Sequence, residues 1–417
     1  MREWEGGAGR AGAAPAALAA VCLALTVACA GDGEGPVGGW AGTVDTLPGG
    51  GVRVVSPEEG VWGEGEGWRL RESLRIGALD GDGPEVFGEI GDVAVDVEGR
   101  IYVLEEQAHE IRVFGPDGSY LRTIGRQGGG PGELNVPFGG EIEFDPEGRL
   151  VVHNAMNRRW EIFTPEGESR GSTPVQTRSF GSSTVRGTDG ALYMRDGVRT
   201  GDGGDRRAVV IRREIRGDSL VTTDTLDVPP VPEGETVELT ANAGGNTMTM
   251  QMPVPFVHQP SWRFDPDGHF WVEPGDGYRL VALGAEHDTL RIVERAYTPV
   301  PVTDAEVDEA LERFNAGPFA GSDAAPSRSR IPDHHPPFGT FRVDDPTGHL
   351  WVRRVVGPDR YAWDVFDPEG RYLGEVETEV ELAALSVQAI TADAVYGVLT
   401  GELDEPYVVR LALEKGS

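Results

Sequence analysis

For most of its length the chain alternates apolar and polar residues in short runs broken by turn residues. Val93-Ala-Val-Asp-Val-Glu-Gly-Arg-Ile-Tyr-Val103 reads as strand, Asp-x-x-Gly turn, strand. Period-two alternation marks a half-buried strand. In the turn, Asp folds its side chain onto the backbone ahead and Gly takes the positive φ that a tight hairpin demands. The pattern returns 49 residues later in Ile142 to Val152, with Asp96 on Asp145, Gly99 on Gly148 and Phe114 on Phe163. Further copies lie at Gly187 to Met194, Phe264 to Val272 and Val343 to Val352, and a degenerate one at Ile390 to Val398, which makes six. The better copies carry a second hairpin, as in Ile111 to Leu121 and Trp363 to Leu373.

Four alternating strands per unit is the make-up of a propeller blade. The chain is therefore expected to be all-β, a six-bladed β-propeller of four-stranded antiparallel blades. Gly99-Arg-Ile-Tyr-Val, then His109-Glu-Ile-Arg-Val-Phe-Gly-Pro-Asp-Gly118, then the glycine run Gly128-Gly-Gly-Pro-Gly-Glu133, resembles the NHL-repeat class of six-bladed propellers and, within it, a bacterial lipoprotein family. The match is close from Asp92 to Glu168 and partial from Ser261 to Ala296 and Gly339 to Val376. His109 falls on the class's His/Arg position and so reads as structural. The last unit, Leu385 to Leu413, has room for only three strands. Trp68 to Gly77 matches the outer strand Tyr120 to Gly125, so the N-terminal segment is expected to supply the missing strand and close the ring. Tyr102, Tyr193, Trp271 and Trp351 recur at one place in the repeat and read as core between blades.

Two spacings exceed a bare blade: Gly190 to Gly268 is 78 residues and Gly268 to Gly348 is 80. The excess predicts insertions at 231–259 and 299–338. The second includes one short helix, because Thr303 with Glu306 forms a capping box and Val307, Leu311 and Phe314 share a face.

The termini bear on location. Residues 1–28 read as a signal peptide, with a short apolar run ending in Leu25-Thr-Val-Ala-Cys29, similar to a lipobox that would make Cys29 a lipidated N-terminus. Ordinary cleavage after Ala30 is the alternative. Residues 29–65 are expected to be a lipid-anchored flexible linker, and 66–417 the propeller. Both cysteines, Cys22 and Cys29, precede that domain, which excludes disulfides and thiol chemistry from it.

Composition narrows the function. The net charge is −32, from 69 acidic and 37 basic residues, which disfavours nucleic acid and leaves the membrane reachable only through an N-terminal lipid. The one lysine is Lys415, so Walker-type phosphate binding and Schiff-base chemistry are out. There is no Gly-x-Ser-x-Gly elbow.

Three segments entering inner strands share prolines with aromatic or histidine residues, placing Phe138, Phe256, His258, His334, His335 and Phe338 as candidates for a binding ring at the channel mouth. Packing of loops onto neighbouring blades is the competing reading. His258, Asp333, His334 and His335, with His153 as a further donor, are the candidate ligands for a divalent metal, calcium or zinc; no other cofactor is implied. The functional expectation is a monomeric binding or interaction module in the bacterial cell envelope, taking a protein, peptide or small-molecule ligand outside the cytoplasm. The alternative is a metal-dependent, lactonase-like hydrolase or lyase with its site at the channel mouth.

Overall fold

A computed structural model describes residues 39–175, 184–199, 206–243, 246–275, 277–314, 325–343 and 345–416. Among these, six four-stranded antiparallel blades form a β-propeller whose inner strands are Ile90–Val95, Ile142–Phe144, Thr184–Arg186, Ser261–Phe264, Phe338–Arg342 and Leu385–Ile390. The first five blades run outward in chain order, and each blade interface carries its own apolar cluster. Tyr102, Trp271 and Trp351 are buried there, as their recurrence predicts, and Tyr193 joins them.

The repeated turn has a second task that the spacing alone does not reveal. Asp96, Asp145 and Asp265 each accept backbone N–H groups two and four residues on with one oxygen. With the other they hold Arg100, Arg149 and Trp271; Asp345 likewise holds Trp351. Gly99, Gly148, Gly268 and Gly348 close these turns at φ of 76°, 77°, 90° and 77°, where a side chain would be strained. In blades four and five one aspartate thus builds the turn and locks the tryptophan that fills the next interface.

The ring closes as the strand count requires. Arg69–Ile76 pairs antiparallel with Pro406–Glu414 as the outer strand of the sixth blade, and touches the outer strand of the fifth, Tyr372–Thr378, in parallel.

The stretch before it differs from the expected flexible linker. Thr43–Thr46 and Val52–Ser56 form a hairpin, and Val52–Ser56 adds in parallel to Thr289–Arg295, the outer strand of the fourth blade. Val61 and Trp62 then donate to the carbonyls of Tyr372 and Leu373. Residues 43–76 therefore run along the outer edges of blades four, five and six. The glycine- and acid-rich composition hid a strand whose Val54 and Ser56 are both buried. Cys29 and residues 1–28, the expected signal segment, lie outside the described residues.

Within the first insertion, Thr236–Ala243 and Asn246–Pro253 form a two-stranded hairpin. Within the second, Asp304–Phe314 is the expected helix, capped by Thr303 and Glu306 in reciprocal hydrogen bonds. Val307, Ala310 and Phe314 form its buried face. Phe314 packs with Val237, Leu239 and Val254, so the two insertions share a small core of their own. Arg330 reinforces it, pairing with Glu235 at 2.7 Å.

Candidate functional site

The six inner strands are sheet edges facing a common axis, and the space between them is a cavity of about 1290 Å³. Charged side chains line it, and they are segregated. Asp92 comes from the first blade, and Glu141 and Glu143 from the second. Arg186, Arg263 and Arg342 come from blades three, four and five. Some are tied to the wall: Arg342 donates to the carbonyls of Val387 and Gln388 at 2.6 and 2.9 Å, bridging blades five and six. Thr184 donates to Glu141 at 2.9 Å across the gap between blades two and three.

Asp92 has the most unusual environment. Burial in the channel wall pushes its carboxyl up to about 6, against two backbone N–H donors, Ile142 and Val93, and the charge of Arg342; Glu106 adds to the rise. Glu106 is itself raised, by burial and by the nearby Glu89 and Glu105, although the Gly140 N–H bonded to it at 3.0 Å opposes this. A carboxyl raised in the folded state holds its proton between about pH 4 and 6 while the unfolded chain has released it. Its contribution therefore favours folding below about pH 4 and is lost as pH rises through 6. Asp92→Asn is accordingly expected to stabilise the protein by about 1–2 kcal/mol near pH 7.5 and to change little near pH 4. Urea denaturation at the two pH values measures this; equal effects at both would show that ionisation of Asp92 is not the cause.

The sequence-derived candidates lie elsewhere. None of Phe138, Phe256, His258, His334, His335 and Phe338 lines the cavity. Four of them gather at the junction of blades four and five, where the insertions return to the inner strands. The Phe256 ring meets His335 edge-on at 5.1 Å, and His258 meets Phe338 at 5.2 Å. His258 Nε2 lies 3.0 Å from the buried Glu273, and His335 Nε2 lies 3.0 Å from Glu306 of the helix. Phe338, expected at the mouth, is in the inner strand of blade five and 1% exposed, because the alternation there turns it toward Tyr278 of the neighbouring blade. Phe138 is 47% exposed on the loop entering blade two, and His334 is exposed beside Pro301. Among the described residues no three His, Cys, Asp or Glu side chains converge as a metal-holding group, so His258, Asp333, His334 and His335 do not form one as placed. His153 is buried against Trp160, with Nδ1 3.2 Å from the Gly139 carbonyl, and burial pushes it below its ordinary value.

His109 accepts the Val136 N–H at 3.1 Å and ties the first blade to the loop entering the second. Glu105 and Asn154, equivalent across the 49-residue repeat, do similar work, accepting the Glu89 and Asn135 N–H groups of successive crossing loops.

Sequence reading passed over the channel residues because 69 carboxylates make any single one unremarkable. A signal was nonetheless present. Glu143 and Arg263 each stand two residues before a turn aspartate, Asp145 and Asp265, on inner strands.

A family model described as a 6-bladed beta-propeller matches residues 84–137. Among solved structures, the chain is similar to a member of the duf4221 family from Bacteroides vulgatus, at 11% identity and a TM-score of 0.48, covering 85% of this chain and 100% of that one. It is also similar to an inactive variant of virginiamycin B lyase from Staphylococcus aureus, at 11% identity and 0.40, covering 83% and 100%. A gluconolactonase from Xanthomonas campestris aligns at 15% identity and 0.38, covering 79% and 87%. At these identities the likeness extends to the fold alone. No curated protein matches the chain.

Proposed function

We propose that this protein is a binding propeller acting outside the cytoplasm, tethered through Cys29, with a small polar ligand as its cargo. The NHL-like reading of its repeats is part of the same proposal. The observation that carries it is the cavity of about 1290 Å³ with carboxylates on one side and guanidinium groups on the other. Pockets for small ligands run roughly 300–1,000 Å³ and use a few convergent polar groups to fix orientation, which this channel offers in excess. The blades that surround it are held by interlocked turns and interface cores, so the charged groups are presented from a rigid frame.

The test places bulk in the channel. Ser386 lines it and is exposed, so Ser386→Trp narrows the site without entering a blade interface. Small polar compounds that raise the melting temperature of the purified protein are expected to lose that effect in the variant. Ligands that stabilise both forms equally would put the site elsewhere. Metal analysis of the same preparation addresses the hydrolase or lyase reading: a stoichiometric metal lost on replacing His258 or His335, together with activity on an ester or lactone panel, would favour it.

A further inference from the structure

The first insertion carries a pattern that the blades do not. Three of the six methionines in the chain, Met248, Met250 and Met252, alternate within five residues. They lie on the second strand of the insertion hairpin, Asn246–Pro253. The register there sets Met248 opposite Ala241, Met250 opposite Leu239 and Met252 opposite Val237. Alternate residues of a strand share a face, so the three occupy one face with neighbours about 6–7 Å apart along it. The other face is polar and satisfied internally: Thr236 donates to Gln251 at 3.0 Å, and Gln251 donates to Glu238 at 3.1 Å.

Packing accounts for only part of the methionine face. Val237 and Leu239 are buried, and Met252 is half-buried against the small core around Phe314. Met250, however, is 41% exposed. Strands favour β-branched and aromatic residues, so neither strand propensity nor burial calls for methionine at that position. What separates methionine from the leucine and valine across the hairpin is its sulfur, an uncharged, polarisable donor on an unbranched chain with three rotatable bonds. Thioethers select soft cations, Cu(I) above all, whereas calcium and magnesium take oxygen ligands. A chain with a net charge of −32 draws cations toward its surface. No cysteine lies within residues 39–417 to compete for such an ion.

We propose that Met250 and Met252, with Met248 next in register, form a site for a monovalent soft cation, Cu(I). Neither Met250 nor Met252 lines the channel, so the site is independent of the small-polar-ligand reading. The exposure of Met250 leaves the ion open to exchange with another donor. Thioethers have no proton to lose, so binding here does not depend on pH, in contrast to binding by imidazole or thiolate, which must first be deprotonated.

Two probes test the proposal: calorimetry with Ag(I), a redox-stable stand-in, and competition for Cu(I) against bicinchoninate. Both use the full chain carrying Cys22→Ser and Cys29→Ser, which removes competing thiols. One ion per chain is expected, with an affinity that stays constant between about pH 6 and 8. Met250→Leu and Met252→Leu keep the apolar character and volume of the face. Each is expected to melt close to the parent protein and to weaken binding about 10-fold or more, as loss of even an outer-shell partner does. His258→Gln is expected to leave binding unchanged. Absence of stoichiometric binding at micromolar metal overturns the proposal. Unchanged affinity in both leucine variants also overturns it, leaving the methionines as apolar surface only. Affinity that falls steeply with pH, or is lost in His258→Gln, assigns the ion to the imidazoles between blades four and five and overturns it likewise. The channel is tested by Ser386→Trp and a different ligand, so the two readings fail separately.

Discussion

Removing Trp68 to Ile76 is expected to leave a chain that does not fold. Three side chains in that segment, Trp68, Leu70 and Ile76, are almost wholly buried. At about 1.5–3 kcal/mol each, their burial is worth roughly 5–9 kcal/mol. That is comparable with the whole net stability of a typical domain, about 5–15 kcal/mol. The deletion also strips the hydrogen-bond ladder from Pro406–Glu414, baring a strand edge where the ring should close. Far-UV circular dichroism and gel filtration measure the outcome. Removing 39–56 instead is the informative contrast. It takes away the hairpin on blade four but leaves all six blades four-stranded, so the expected result is a folded protein with a lower melting temperature. A deletion of 68–76 that melts cooperatively would mean that the sixth blade is stable with three strands.

Asp364→Ala is expected to be the most damaging single substitution, at about 3–5 kcal/mol. Asp364 is completely buried in blade five and accepts hydrogen bonds from Tyr278 at 2.6 Å, Tyr372 at 3.1 Å and Arg354 at 3.0 Å. Arg295 lies 3.3 Å away, donates to the Glu58 carbonyl at 2.7 Å, and sits over the Tyr372 ring at 4.1 Å. Removing the carboxylate leaves the buried Arg295 guanidinium without its anion, while Arg354 keeps only its pair with the exposed Glu375 at 2.7 Å. The phenols respond to the same charge: burial first, and then Asp364, hold Tyr278 and Tyr372 above the ordinary tyrosine range. Asp364→Asn retains hydrogen-bonding capacity and should cost less than the alanine variant. Urea midpoints order the three proteins, and a loss below about 1 kcal/mol for Asp364→Ala would show that the arginines find solvent or other partners.

Much of the scaffold was legible along the chain, because its information is local. An Asp-x-x-Gly turn needs only its own residues to form, and period-two alternation shows which side of a strand is apolar. The capping box at Thr303 and Glu306 was readable for the same reason. The strand at Val52–Ser56 was not. Its partner is Thr289–Arg295, more than two hundred residues away, and a short run beside glycines has no local mark to distinguish it from a tether. The candidate site shows the same division. Histidines and aromatics next to prolines attract notice in a sequence, yet His258 and His335 face the carboxylates Glu273 and Glu306. Asp92, Glu143 and Arg263 blend into a composition rich in their kind, and only closure of the ring assembles them.

The sequence by itself determined the repeat, the turn chemistry, the need for a strand from the N-terminus, and the two insertions, since each follows from the preferences of neighbouring residues or from counting them. Tertiary structure alone decided that residues 43–76 wrap three blades, that the insertions share one core, and that opposed charges meet across a channel. Those outcomes depend on distances between residues far apart in the chain, where burial and Coulomb energy are set by the closed ring and not by any stretch of the sequence.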